Sequence, residues 1–123
     1  MIHTEYYKDG TPCECDRIEK GYYESGALRR EIPYVNGEKH GIKKYYYESG
    51  ALHLVVPYKK SRAHGIAKWY YKTGVLQSTI PYTNGECHGI IKQYQKSGVL
   101  SALSMYNHGN FCPMKGCPVE NFV

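Results

Sequence analysis

Apolar and polar residues alternate along most of this chain in short runs, and small turn-forming pairs break the runs at regular intervals. Ser25-Gly26, Ser49-Gly50, Thr73-Gly74 and Ser97-Gly98 form one set of breaks. Asn36-Gly37 and Asn84-Gly85 form a second, with Lys60-Ser61 standing between them. Such pairs are hairpin-turn chemistry. The runs between them are rich in tyrosine and in β-branched or aliphatic residues, the composition of strands. Two strands of about seven residues and two turns fill each unit, so the unit reads as a β-hairpin.

The hairpin recurs. Tyr34 to Leu52 returns 24 residues later from Tyr58, and again from Tyr82. A fixed period of this length marks a repeat architecture. The expected fold is all-β: one elongated, single-layer antiparallel sheet of four to five successive hairpins. In a single domain of 123 residues, residues 1–21 read as a truncated opening repeat, 22–110 as repeats and 111–123 as an irregular cap. Tyr6-Tyr7-Lys8-Asp9-Gly10 echoes Tyr46-Tyr47-Glu48-Ser49-Gly50.

Period-two alternation assigns faces to these strands. One face is expected to carry the near-constant columns Ile18/Ile42/Ile66/Ile90, Lys20/Lys44/Lys68/Lys92 and Tyr22/Tyr46/Tyr70/Tyr94. Leu28/Leu52/Leu76/Leu100, Ile32/Val56/Ile80 and Tyr34/Tyr58/Tyr82/Tyr106 are assigned together in the second strand. Columns that drift, such as Gly21/Tyr45/Trp69/Gln93, are expected to face solvent and any partner. Pro33, Pro57 and Pro81 cannot donate to a ladder, so they belong at strand ends or point their ring nitrogen outward.

Composition narrows the function classes. Fourteen tyrosines accompany one Trp and two Phe, so the interior must be partly tyrosine. A mean hydropathy of −0.59 and a net charge of +5 predict a soluble, mildly basic protein. The lysines are spread along the repeats rather than clustered, which argues against nucleic acid. Nothing near the roughly 20 apolar residues of a spanning helix occurs. The start lacks signal-peptide features, and five cysteines, an odd number, suit a reducing compartment better than a disulfide framework. The expected location is cytoplasmic.

The pattern Tyr-x-Asn-Gly-x-x-His-Gly-x-x-x-x-Tyr-Tyr-x-x-Gly-x-Leu is carried by Tyr34, Asn36, Gly37, His40, Gly41, Tyr46, Tyr47, Gly50 and Leu52. It resembles the MORN repeat in its bacterial variant form, over about residues 16–110. The resemblance implies an elongated sheet of hairpins and no common catalytic residues. It also implies a scaffold, a membrane or phosphoinositide binder, or an antitoxin or immunity protein.

No constellation points to an enzyme. The serines sit in turns, aspartates are almost absent, and no phosphate loop or nucleophile elbow occurs. His40, His64 and His88 recur one hairpin apart, roughly 10 Å at the usual strand spacing. Two of them therefore cannot share a metal bonded at about 2 Å. With Gly41, Gly65 and Gly89 they are expected to be structural, each histidine capping its own His-Gly turn. Cys13 and Cys15 lie at one end of a rod roughly 40 Å long by the same spacing, and Cys112 and Cys117 at the other. No metal site and no cofactor are expected in one chain; a half-site shared between copies and a Cys112–Cys117 disulfide remain open.

The expected function is thus non-catalytic protein binding, with an immunity or antitoxin protein that blocks a toxin as its specific form. Tyr23, Tyr45, Tyr47, Trp69 and Tyr71 are the candidate partner-binding residues, because exposed aromatics concentrate binding energy. An alternative is a membrane-surface binder using Lys20, Lys44, Lys68 and Lys92 beside their tyrosines. A third reading is a scaffold that assembles through open sheet edges.

Overall fold

A computed structural model describes residues 5–112. Nine strands form the path of a single antiparallel sheet: β3 (Arg17–Tyr22), β4 (Leu28–Val35), β6 (Gly41–Tyr46), β7 (Leu52–Lys59), β9 (Gly65–Tyr70), β10 (Leu76–Thr83), β12 (Gly89–Tyr94), β13 (Leu100–Asn107) and β14 (Asn110–Cys112). Three two-residue strands, β5 (Glu38–Lys39), β8 (Arg62–Ala63) and β11 (Glu86–Cys87), extend β4, β7 and β10. The expected all-β sheet of successive hairpins is what forms. There is no helix among the described residues, hence none long and apolar enough to cross a membrane.

The second set of turns has positive φ at both central residues, as two-residue hairpin turns of this hand require. Asn36 and Gly37 lie at 50° and 79°, and Asn84 and Gly85 at 49° and 86°. Lys60 and Ser61 hold the same geometry, at 49° and 65°, without a glycine. Left-handed backbone costs such residues about 1 kcal/mol or more each. Restoring the repeat with Lys60→Asn and Ser61→Gly is expected to raise unfolding stability by about 1 kcal/mol. Urea denaturation reads this directly, and an unchanged midpoint would refute it. His108-Gly109, where the pattern was expected to stop, makes a fourth turn of this kind, at 48° and 86°. It leads into β14, which pairs with β13.

Each hairpin carries a β-bulge that the alternation rule did not anticipate. Tyr46 faces Leu52 while Tyr45 faces Leu54, so His53 is the extra residue. Arg29, Gln77 and Ser101 occupy the same place in the other hairpins. A bulge shifts the alternation by one residue. The face assignment beyond each leucine is therefore corrected. Ile32, Val56 and Ile80, with Tyr34, Tyr58, Tyr82 and Tyr106, share a face with Tyr45 and Trp69. The other face, called the lysine face below, carries the Ile, Lys and Tyr columns of the first strands. The leucines, Glu31/Val55/Thr79/Leu103 and the prolines join them there.

The first residues do not extend the stack. β1 (Glu5–Tyr6) and β2 (Pro12–Cys13) form a separate two-stranded sheet that folds onto the lysine face. Tyr7, Cys13 and Cys15 are buried together, with Ile18 and Val35 packed against them. Cys13 and Cys15 are joined by a disulfide, where the sequence favoured free thiols. Cys87 is free. Cys117, and with it the Cys112–Cys117 disulfide left open above, lies outside the described residues.

Candidate functional site

The repeats are stitched by their tyrosines. The Tyr23 hydroxyl donates to the Tyr46 carbonyl at 2.7 Å, Tyr47 to Tyr70 at 2.6 Å and Tyr71 to Tyr94 at 2.7 Å. Each ring thus bridges its own turn to the strand end of the next hairpin. The fourth copy has Gln95 at this position. Three of the five expected partner-binding residues, Tyr23, Tyr47 and Tyr71, therefore have a structural task. Tyr47→Phe deletes one such bond and is expected to cost about 1 kcal/mol in urea unfolding. A loss below a few tenths would show the bridge to be idle.

Histidine stitching also runs between copies, correcting the expectation of caps on their own turns. His64 Nδ1 accepts the backbone N–H of Asn84 at 3.4 Å, and His88 Nδ1 that of His108 at 3.1 Å. Asp16 fills the same place in the first copy, accepting from the Asn36 N–H at 2.8 Å. Among the described residues no group of His, Cys, Asp and Glu could hold a metal ion.

Tyr45, Leu54 and Trp69 lie directly opposite one another on three neighbouring strands. His53, pushed out by its bulge, stacks on Tyr47 at 4.1 Å and meets Trp69 edge-on at 5.5 Å. Burial holds the His53 pKa below its ordinary value, so the ring is neutral near pH 7. Beside this cluster an open groove of about 350 Å³ is lined by Leu54, Val56, Tyr58, Ala67, Trp69 and Tyr82, with Arg62 at its rim. Ala67, only 1% exposed, leaves the floor low beside the indole. The structure therefore brings Tyr45, Tyr47 and Trp69 together, and sets Tyr23 and Tyr71 in the turns of the neighbouring repeats.

The four lysines do form one row across the other face, but unequally. Lys44 is 8% exposed and bonds Asp9 at 3.0 Å beneath the N-terminal hairpin. Its ammonium also lies 4.3 Å from the centre of the Tyr7 ring. Lys20 approaches Glu31 at 3.5 Å. Lys68 and Lys92 are exposed and meet no carboxylate among the described residues. Bonds from the Thr11 hydroxyl and amide, then from Lys44, hold the Asp9 carboxyl well below the usual carboxylate range. Sequence reasoning missed Glu31. Wholly buried, it accepts from the Lys8 N–H at 2.8 Å and the Tyr46 hydroxyl at 2.5 Å. Its one available signal was being the only acid in the column Glu31/Val55/Thr79/Leu103.

Hairpins of one period, stacked edge to edge and bonded copy to copy, define a β-repeat protein with an aromatic groove on one face. The sequence pattern of the MORN repeat variant family matches residues 18–36, 39–60 and 63–84. These segments cover just over half of the chain, and the chain belongs to that family. MORN repeats in general serve as protein- or membrane-binding modules. No curated protein matches the chain significantly.

Proposed function

We propose that this chain is a non-catalytic module that binds another protein through the face carrying Tyr45 and Trp69. The observation that carries the reading is the half-buried aromatic cluster beside an open apolar groove with an arginine at its rim. Trp, Tyr and Arg are the residues on which binding energy concentrates. Only the family resemblance supports the finer reading, an immunity or antitoxin protein that blocks a toxin in the cytoplasm.

Affinity capture from the native source, followed by binding of the purified partner, tests both levels. Trp69→Ala is expected to weaken binding by about 30-fold or more, the effect of a hot-spot residue worth 2 kcal/mol. Tyr45→Ala, beside it, serves as a second variant should Trp69→Ala unfold. The toxin reading further requires that the partner arrest growth alone and be neutralised by this chain. No protein partner, with binding instead to anionic liposomes that fades in salt, would overturn the proposal in favour of the lysine row. Two of the row's four members are already engaged within the molecule.

A further inference from the structure

Lys20, Glu31, Lys44, Val55, Lys68, Thr79, Lys92 and Leu103 stand directly opposite one another in a single row across the lysine face. Half of that row has an occupant. The turn Tyr7-Lys8-Asp9-Gly10-Thr11 lies over it, closed by bonds from Gly10 N to the Tyr7 carbonyl and from Tyr7 N to the Thr11 carbonyl. This is the same closure the repeats use in their own turns, as from Gly26 to Tyr23 and from Tyr23 to Ala27. Its contacts include Asp9 on Lys44, the Ile42 N–H donating to the Tyr7 hydroxyl at 3.0 Å, and the Lys8 N–H on Glu31.

The other half repeats the setting with no occupant among the described residues. Lys68 and Lys92 follow Lys44 in the row, roughly 10 Å apart at two strand spacings. Around them Ile66 is 55% exposed, Ile90 39% and Leu103 43%. The cross-strand neighbours of these lysines are Val55, Thr79 and Leu103, none of them an acid, whereas Glu31 stands between Lys20 and Lys44. We propose that this half of the face binds an aspartate-bearing tight turn of a partner polypeptide, as the first half binds the chain's own turn. The cations supply charge complementarity, and the exposed isoleucines give a tyrosine ring a place to lie. The surface is also continuous with one that already holds such a turn.

A synthetic peptide of residues 5–15, titrated into the isotope-labelled full chain, tests this by amide chemical shifts. Saturable shifts are expected at Ile66–Tyr70 and Ile90–Tyr94. An Asp9→Asn peptide should bind about fivefold more weakly, the scale of one exposed ion pair. Lys68→Ala with Lys92→Ala should do the same to the unaltered peptide. Both lysines are exposed, so the variant is expected to unfold at the same urea concentration as the wild type. No saturable shift at millimolar peptide would overturn the proposal, as would equal binding by the Asn peptide. Shifts confined to Ile42–Tyr46 would overturn it too, because the peptide would then only be replacing the chain's own turn. Loss of phosphatidylserine-vesicle binding in the double lysine variant, with no peptide binding, would assign the face to a membrane instead.

Discussion

Replacing Glu31 by alanine is expected to lower unfolding stability by about 3–5 kcal/mol, the range for removing one member of a buried charged network. The carboxylate is wholly buried and is the shared acceptor for the Tyr46 hydroxyl and the Lys8 N–H, with Lys20 at 3.5 Å. Burial first, and then the bond to Glu31, push the Tyr46 phenol far above its ordinary pKa. It therefore stays protonated and must find an acceptor. Without Glu31 the buried Tyr46 hydroxyl is stranded, at about 1–3 kcal/mol, and the half-buried Lys8 N–H loses its acceptor as well. Glu31→Gln keeps the shape and one acceptor oxygen, and should cost less than half as much. Hydrogen exchange should show residues 5–15 unprotected in Glu31→Ala while the strands from β7 onward keep their protection. A loss under about 1 kcal/mol would mean that the hairpin is held by Tyr7 and the buried disulfide instead.

Gly65→Ala is expected to be the most damaging small change in the sheet, at about 3 kcal/mol, because strained backbone and a steric contact coincide there. Gly65 sits at φ +120°, and an added Cβ would lie 2.8 Å from the Pro57 Cγ. A pyrrolidine ring cannot swing aside as a long side chain can. Gly74→Ala is the control: φ is +95° but nothing lies within 4 Å, so only backbone strain of about 1–2 kcal/mol applies. Adding Pro57→Ala to Gly65→Ala should recover the steric part alone. Equal losses at Gly65 and Gly74 in urea unfolding would remove the proline from the explanation. Gly41 against Pro33 repeats the arrangement, at 3.1 Å. His-Gly and the earlier proline are thus two halves of one contact, made across the sheet.

That contact illustrates what could be read in advance. Turns and strand content were legible because each depends on residues within a few positions of one another, and the period because those local signals recur every 24 residues. The two faces were not, because one inserted residue per hairpin reverses the alternation. The bulge column Arg29/His53/Gln77/Ser101 has no shared chemistry to announce it. Tyr23, Tyr47 and Tyr71 looked like recognition residues because their acceptors lie 23 positions downstream, beyond any local rule. Gln95 was the clue, since the substitution falls in the last full copy. The echo of the repeat turn in Tyr7-Lys8-Asp9-Gly10 was visible, but its seat on Lys44 and Glu31 exists only once the sheet has formed.

The tyrosine bridges all point one way along the sequence, and this gives the molecule a direction. Lys8 reaches the Gly50 carbonyl at 3.3 Å, further along the chain than the bonds that tie Lys8, Tyr7 and Asp9 to Glu31, Ile42 and Lys44. The lock at that end can therefore close as soon as about fifty residues are available. Later hairpins then add to a finished edge, each received by the tyrosine already in place before it. Growth from a ribosome and loss under stress would follow the same track in opposite senses. Among the described residues, β14, which follows the turn that carries Gln95 in place of a bridging tyrosine, joins last and frays first.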